Sequence, residues 1–244
     1  MLDFKRYEMD YIKSNMYILL NGKEALIIDP NVSEEGFQLL KEKGIQRATI
    51  LLTHEHFDHT VGINRIRDMM EAEVICQKEC AKSIAVARKN RPLSLLMIKG
   101  QDSPKQIREF YNSFSLYTCY ADRSFEFCYE FDWRSHSVFM IATPGHSKGS
   151  CCIEVDSKYV FTGDSLIQDI PVITRYPGGS MEEYERQTVP YLEKLSEEAF
   201  IMPGHGVPCN MGKLKYKERG VWDVALGQTS RQPLKQIAVS SGSG

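Results

Sequence analysis

The stretch HEHFDH, residues 54–59, crowds three histidines and an aspartate into six positions directly after the mostly apolar run ATILLT. In an extended loop, side chains two residues apart point the same way, so His54 and His56 can direct two imidazoles at one point. Asp58 and His59, where the chain turns into a predicted helix, offer an oxygen and a third imidazole. Imidazole and carboxylate without thiolate are typical ligands of zinc, iron or manganese at hydrolytic sites. The stretch therefore predicts one metal ion at His54 and His56 and a second ion beside it.

Further candidate ligands lie far along the chain. A single loop histidine is usually a polar residue with an ordinary hydrogen-bond partner, but three of the six histidines lie in one stretch. His146 in TPGHS and His205 in PGHG each follow a predicted strand through a Pro-Gly turn, and Asp164 in FTGDS lies just beyond another strand end. Only His136 is left over. Side chains gathered from loops at one end of several strands indicate a metal site on an α/β scaffold.

The first half of the chain alternates strands with helices. YIKSNMYILL and EALIIDP predict two strands joined by a two-residue hairpin turn at Asn21-Gly22. A helix that begins after Ser33 and ends near Gly44 comes next, followed by the buried strand ATILLT, a helix over roughly residues 61–70 and the strand AEVICQ. This alternation predicts strands layered with helices.

The second half repeats the pattern. SVFMIATPGH, SCCIEV, KYVFTGD and AFIMPGH predict strands, and SMEEYERQTVPYLEKL predicts a helix that Pro190 kinks or interrupts. Between the halves, about residues 78–122, apolar residues recur at helical spacing and predict a helical insertion. Packing against the core or against a dimer partner is the favoured role of this insertion, and an apolar substrate lid is the alternative. We expect one domain over residues 1–228 and a C-terminal tail over 229–244 that is disordered or of non-native origin.

Composition excludes several classes of protein. The 244 residues are 42% hydrophobic with a formal net charge of −2, which favours a globular protein without a nucleic-acid partner. The N-terminal segment lacks the apolar core of a secretory signal, and no later run is long enough to span a bilayer. We therefore expect a cytoplasmic protein with a small-molecule substrate and no membrane partner. The seven cysteines show no paired CxxC framework and are expected to be free thiols.

Five motifs together carry a family resemblance. THEHFDH, TPGHSKGS, FTGDS, RYPGGSMEE and IMPGHG, in that order, resemble the metallo-β-lactamase fold superfamily, and within it look most like the glyoxalase II and related hydrolase branch. The resemblance implies an α/β fold, an αββα sandwich of two similar halves with a binuclear metal site at the sheet edge. It assigns the first metal to His54, His56 and His146, and the second to Asp58, His59 and His205, with Asp164 bridging.

The resemblance also implies a mechanism. Two divalent ions, zinc first with manganese or iron as alternatives, can share a water and lower its pKa towards about 7, giving a hydroxide nucleophile. Asp58 resembles the superfamily residue that also handles the proton. The expected function is a binuclear hydrolase that cleaves a thioester, lactone or other ester. Arg175 and Tyr176, in the loop after Asp164, are candidates to recognise a substrate carboxylate or phosphate.

Two alternatives remain open. One is a mononuclear iron oxygenase resembling the persulfide dioxygenases, and the other is a non-catalytic regulatory protein that retains the fold. His56 argues against the diiron flavoprotein branch, where that position resembles a glutamate. The stretch after His205 differs from that of the glutathione-thioester enzymes, which argues against glutathione specificity. The oligomeric state stays open, a homodimer included.

Overall fold

The computed structural model describes residues 2–10, 12–91, 105, 109, 112 and 115–214. The N-terminal half forms a six-stranded sheet with the spatial order β1-β2-β3-β4-β5-β6. Its strands are β1 Lys5–Glu8, β2 Asn15–Asn21, β3 Glu24–Ile28, β4 Arg47–Leu51, β5 Glu71–Gln77 and β6 Arg123–Phe125. The pairs β1/β2 and β2/β3 are antiparallel, and the pairs from β3 to β6 are parallel.

The C-terminal half forms a second six-stranded sheet, with the order β12-β11-β10-β9-β8-β7. Its strands are β7 Cys128–Trp133, β8 His136–Ala142, β9 Cys151–Val155, β10 Tyr159–Gly163, β11 Phe200–Pro203 and β12 Cys209–Asn210. All pairs are antiparallel except β10 and β11, which run parallel.

Short helices connect these strands. In the first half they are α1 Glu34–Glu42, α2 Phe57–Thr60, α3 Ile63–Met69 and α4 Lys78–Ile84, followed by the 3₁₀ turn Ala87–Lys89. In the second half they are α5 Met181–Glu183 and α6 Val189–Leu192, joined by the π-helical segment Tyr184–Thr188, and the 3₁₀ turn Met211–Lys213. No helix in the described part of the chain is long and apolar enough to cross a membrane.

Alternating side chains divide each sheet between two cores. On β2, Tyr17 and Leu19 enter a core between the sheets, whereas Met16 and Ile18 pack outwards with residues of α1, α3 and α4. On β10, Phe161 enters the same central core. The outer face of the second sheet packs against α6 and the π-helical segment. Helices cover the outer face of both sheets, which confirms the predicted αββα sandwich.

Several local predictions need correction. The hairpin loop is Gly22 and Lys23 rather than Asn21-Gly22, because Asn21 still pairs with Glu24 and only Gly22 in this loop has positive φ, +60°. The predicted helix over 61–70 begins earlier, as α2, and restarts as α3. The interruption expected at Pro190 is present, since the π-helical segment ends immediately before α6. Strands β1, β6, β7 and β12 were not predicted from the sequence.

Residues 78–122 form the crossover between the parallel strands β5 and β6. Its described parts include α4, the following 3₁₀ turn and the segment 115–122. Tyr117, from the predicted helical stripe, packs against the core on the outer face of the first sheet. Its hydroxyl forms a hydrogen bond of 2.9 Å with the Thr60 hydroxyl. Outside the described residues lie the other members of the stripe, Ile107, Phe110, Tyr111 and Phe114, and the apolar residues expected in a lid, Leu93, Leu95, Leu96 and Met97. The predicted C-terminal tail, 229–244, also lies outside them. The domain division stays a prediction.

Candidate metal centre

The predicted ligands follow the carboxyl ends of strands that lie side by side. In the first sheet, Ile28 on β3 pairs with Leu51 on β4, so the residues just beyond both strands share one edge. In the second sheet, Gly163 on β10 pairs with Pro203 on β11, which brings Asp164 next to the loop of His205. Ligand sites of open α/β sheets form at this edge.

Three imidazoles converge on one point. The Nδ1 atom of His56 lies 3.1 Å from Nε2 of His54 and 3.0 Å from Nε2 of His146. His54 and His146 are buried, and His56 is partly exposed. Three ring nitrogens at such short mutual distances can surround one ion, since zinc–nitrogen bonds are about 2.0–2.1 Å long.

A second group lies directly beside the first. The Oδ2 atom of Asp58 lies 3.3 Å from Nε2 of His59 and 3.2 Å from Nε2 of His205. Asp58 and His59 are buried, and the His205 side chain is 21% exposed. This group therefore has an opening to solvent on the His205 side.

Asp164 lies between the two groups. Its Oδ1 atom is 3.6 Å from Nε2 of His59, while its Oδ2 atom is 3.5 Å from Nε2 of His205 and 3.6 Å from Nε2 of His146. One carboxylate thus faces imidazoles of both groups. The structure brings together all seven side chains that the sequence nominated as metal ligands.

Two buried polar atoms of this cluster lack hydrogen-bond partners. These are Nε2 of His59 and Oδ1 of Asp164. A buried polar atom without a partner is energetically costly, and such atoms usually meet an ion, water or ligand. Nitrogen and oxygen donors without thiolate match divalent zinc, manganese or iron. The histidine and aspartate cluster is therefore able to bind metal ions.

A further aspartate, Asp29, lies next to the cluster and contacts Thr53 and His59. Its carboxylate accepts hydrogen bonds from the backbone N–H of Thr53 at 2.7 Å and from the Thr53 hydroxyl at 2.5 Å, and it lies 3.0 Å from Nδ1 of His59. The Thr53 hydroxyl also lies 3.0 Å from Nδ1 of His54. A carboxylate at Nδ1 favours a proton there and leaves Nε2 free to bind an ion. Asp29 is not among the residues predicted from the sequence, although its position directly after the buried strand β3 is a signal that could have revealed it.

Two contacts hold the loop of His146 in place. Its Nδ1 donates to the carbonyl oxygen of Ile173 at 2.8 Å, which directs Nε2 at the cluster. Glu55, between two predicted ligands, accepts a hydrogen bond from the Ser147 hydroxyl at 2.8 Å. Glu55 therefore ties the HEHFDH loop to the loop of the second sheet.

The carboxylates and imidazoles of the second group perturb one another strongly. Burial alone raises the pKa of Asp58, but the imidazoles of His59 and His205 outweigh it and hold that pKa well below its ordinary value. Asp164 behaves in the same way. Burial lowers the pKa of His205, but Asp164 and Asp58 raise it to about 10. These opposite shifts show that the carboxylates and the imidazoles stabilise each other's charged forms.

The first group differs in charge. Burial, followed by the neighbouring imidazole of His59, lowers the pKa of His54 well below its ordinary value. Burial also lowers the pKa of His56, to about 3, and that of His146. Neutral imidazoles are the form that binds metal ions.

Three further residues considered from the sequence, Tyr176, Arg175 and His136, are not part of the ligand cluster. The Tyr176 ring lies 5.3 Å from the His56 ring and 6.0 Å from the His146 ring, so Tyr176 borders the cluster. Arg175 is exposed and does not line the cavity beside the cluster. His136 lies away from the site, 2.9 Å from Asp156.

Comparison with known proteins places this geometry in context. The sequence profile of the Metallo-beta-lactamase superfamily matches residues 10–205. The probable metallo-hydrolase YqgX of Bacillus subtilis is 28% identical over 207 residues, which are 84% of this chain and 90% of that protein. The hydroxyacylglutathione hydrolase GloC of Haemophilus influenzae is 26% identical over 196 residues, 79% of this chain and 85% of that protein.

A solved structure shows the same architecture. The crystal structure of the BLEG-1 B3 metallo-beta-lactamase matches with a TM-score of 0.71 at 25% identity, and the match covers 86% of this chain and 95% of that chain. The profile match runs from before β2 to His205 and includes every residue of the cluster.

Proposed function

Because the chain belongs to the metallo-beta-lactamase superfamily, we propose that it is a binuclear metal-dependent hydrolase that cleaves a thioester, lactone or other ester of a small molecule. The observation that carries the proposal is the pair of adjacent ligand groups with the Asp164 carboxylate between them. The similarity to a probable metallo-hydrolase and to a hydroxyacylglutathione hydrolase supports hydrolysis of an acyl compound.

The cluster divides into two binding positions in this proposal. His54, His56 and His146 hold one divalent ion, and Asp58, His59 and His205 hold the other, with Asp164 shared. Zinc is the first candidate, with manganese and iron as alternatives. Ions bound there supply a Lewis acid and a water of lowered pKa.

Two side chains beside the metal positions, Asp58 and Tyr176, have further roles in the proposal. Asp58 orients the attacking water and takes up its proton in this proposal. The imidazoles of His59 and His205 hold the pKa of Asp58 well below its ordinary value, so its carboxylate is ionised and can accept a hydrogen bond from that water. Tyr176 borders the position of the substrate beside His56. The proposed substrate is a small molecule, and no nucleic-acid partner is proposed.

Metal analysis together with a substrate panel tests this function. The metal content of the protein as purified is measured, and protein loaded with zinc or manganese is then assayed with thioesters, lactones, phosphodiesters and β-lactams. We expect close to two equivalents of metal and hydrolysis of an ester or thioester. A single equivalent of iron with consumption of oxygen supports the oxygenase alternative instead, and an inert, metal-free protein supports the regulatory one.

Substitution of Asp58 tests its assigned role. The Asp58→Ala variant is expected to lose turnover by at least about a hundredfold, because proton transfer by a positioned side chain contributes that much or more. Circular dichroism and thermal unfolding verify that the variant stays folded. His136→Gln, outside the cluster, is the control and is expected to retain wild-type turnover.

A further inference from the structure

A cavity of about 530 Å³ opens beside the histidine cluster. His56, Asp58 and Tyr176 are among its lining residues. Small-molecule sites typically enclose roughly 300–1,000 Å³. A molecule in this cavity therefore has one end at the proposed reaction centre and its remainder against the other lining residues.

Four cationic side chains line the same cavity. Arg88 and Lys89 lie in the 3₁₀ turn after α4, Arg91 follows that turn, and Lys148 lies two residues after His146. None of the four forms an ion pair with another described residue. The positive charges thus come from two separate segments of the chain and meet around one concave surface.

The carboxylates of the cavity already have other partners. Glu79 pairs with Lys82 at 2.6 Å, on α4 outside the cavity lining. Glu55 accepts the hydrogen bond from Ser147, and Asp58 faces the imidazoles of the cluster. The described lining therefore has four cations against three carboxylates, each of which also has another polar partner. Lys89 favours the ionised form of Glu55, and Lys148 that of Glu79, so the excess of positive charge in the lining is one. Like charges gathered in a concave surface attract anions from solution.

We infer that this cavity binds an anionic group of the substrate, a carboxylate or a phosphate, while the bond to be cleaved lies beside His56 and Asp58. This inference rests on the proposed hydrolase function and narrows its substrate class. The guanidinium groups of Arg88 and Arg91 suit either anion, since both accept paired hydrogen bonds from arginine. The chain as a whole has a net charge of −2, so the positive charge is a local property of the cavity.

A pair of matched substrates tests the inference by kinetics. A thioester of glutarate with a free terminal carboxylate is compared with the same thioester ending in a primary amide, and with an analogue ending in phosphate. We expect kcat/KM to be at least about tenfold higher for a charged substrate than for the amide, mainly through a lower KM.

Substitution of two cavity cations assigns that preference to the cavity. In the double variant Arg88→Gln, Lys148→Gln, kcat/KM for the charged substrate is expected to fall at least about tenfold more than for the amide. The control is Lys41→Gln, Lys43→Gln, at the end of α1, which changes the net charge equally and is expected to retain the preference.

Equilibrium binding separates this inference from the proposed function. Calorimetric titration of glutarate and of glycerol 3-phosphate, with glutaramide as the neutral probe, shows which anion binds more tightly. Equal binding of both anions by wild type and by the Arg88→Gln, Lys148→Gln variant would overturn the inference, even if esters are hydrolysed. Loss of anion binding in that variant, without hydrolysis of any ester, would sustain the cavity's anion preference and refute the hydrolase proposal.

Discussion

At the scale of single residues, the site balances two buried carboxylates against five imidazoles. Asp58 and Asp164 stay ionised, while the pKa values of the buried His59 and of the partly exposed His205 are raised. In the metal-free protein, the positive charge of His59 and His205 offsets the two carboxylates, as a bound divalent cation would do. Nε2 of His59 and Oδ1 of Asp164, the two buried atoms of the cluster without a hydrogen-bond partner, also border the place where such a cation would bind.

Asp29 is expected to control the affinity of the site for metal without binding it. The Asp29→Asn variant removes the negative charge beside Nδ1 of His59, and asparagine tolerates the φ of +52° at this position. We expect metal affinity to fall about 10- to 100-fold, measured by competition with a chromophoric chelator.

The chain contains a matched control for that variant. Asp156 also has positive φ, +54°, and its carboxylate lies 2.9 Å from Nδ1 of His136, away from the cluster. Asp156→Asn is expected to leave metal affinity unchanged. Equal losses in the two variants would refute a specific role for Asp29.

Gly204 leaves the space that Asp164 occupies. A Cβ atom at this position would overlap Oδ1 of Asp164 and lie 2.8 Å from Cε1 of His59. Gly204→Ala is therefore expected to displace the shared carboxylate and to reduce metal binding, measured as bound equivalents after gel filtration. In Gly212→Ala, the nearest atom is the carbonyl oxygen of Glu197 at 3.2 Å, and full metal content is expected. Wild-type metal content in Gly204→Ala would contradict this account.

At the scale of elements, parallel pairing explains how distant residues meet. Strands β3 and β4 run parallel in one sheet, as do β10 and β11 in the other, so the residues after each strand emerge at the same edge. The two edges are joined where the backbone N–H of Cys151 donates to the carbonyl of Thr53 at 2.7 Å. The backbone N–H of Asn15 likewise donates to the carbonyl of Gly204 at 2.7 Å.

The core between the sheets is expected to carry much of the stability. Phe161 on β10 is fully buried, with its ring 5.2 Å from Tyr17 of the opposite sheet. Phe161→Ala should lower the free energy of unfolding by about 3–5 kcal/mol, measured by denaturant titration, because it leaves a cavity between the sheets.

An exposed phenylalanine provides the comparison. Phe127, between β6 and β7, is 76% exposed, and Phe127→Ala should change the free energy of unfolding by less than about 0.5 kcal/mol. A similar loss in both variants would show that Phe161 does not have the predicted role in the inter-sheet core.

At the scale of the whole molecule, metal binding should depend on pH. His59 and His205 have raised pKa values in the metal-free protein, that of His205 about 10, so each must release a proton when an ion binds near neutral pH. His54 and His56 have lowered pKa values and are already neutral there. Metal affinity should therefore rise with pH between about 6 and 8, by roughly tenfold per unit for each proton released.

Calorimetry in buffers of different ionisation enthalpy measures those protons directly. We expect one to two protons released per protein at pH 7, and a fall in affinity on acidification. Chelation of the metal should also lower the unfolding temperature, because a ligand that binds only the folded state stabilises it. Proton release of zero, with affinity independent of pH, would contradict the charge balance described above.

Local sequence patterns determined much of the fold. Short apolar runs bounded by turn residues predicted the central strands, and the family resemblance of the five ordered motifs implied the αββα sandwich. Strand β7 was not predicted because most of its residues are at least partly exposed. Its sequence therefore lacks the clear apolar run of a buried strand. Strand β12 has only two residues, which is too short for a periodic signal.

The sequence by itself determined which residues could form the site, because the HEHFDH spacing and the Pro-Gly and Gly-Asp turns are properties of local chain geometry. Only the tertiary structure decided that Asp29 lies under His59, that Asp164 faces both groups and that Arg88 and Lys148 meet around one cavity. These contacts depend on which strand ends share an edge and on how the two sheets stack. The ligands of this site run from His54 to His205, 151 positions apart along the chain, and no local pattern encodes that proximity.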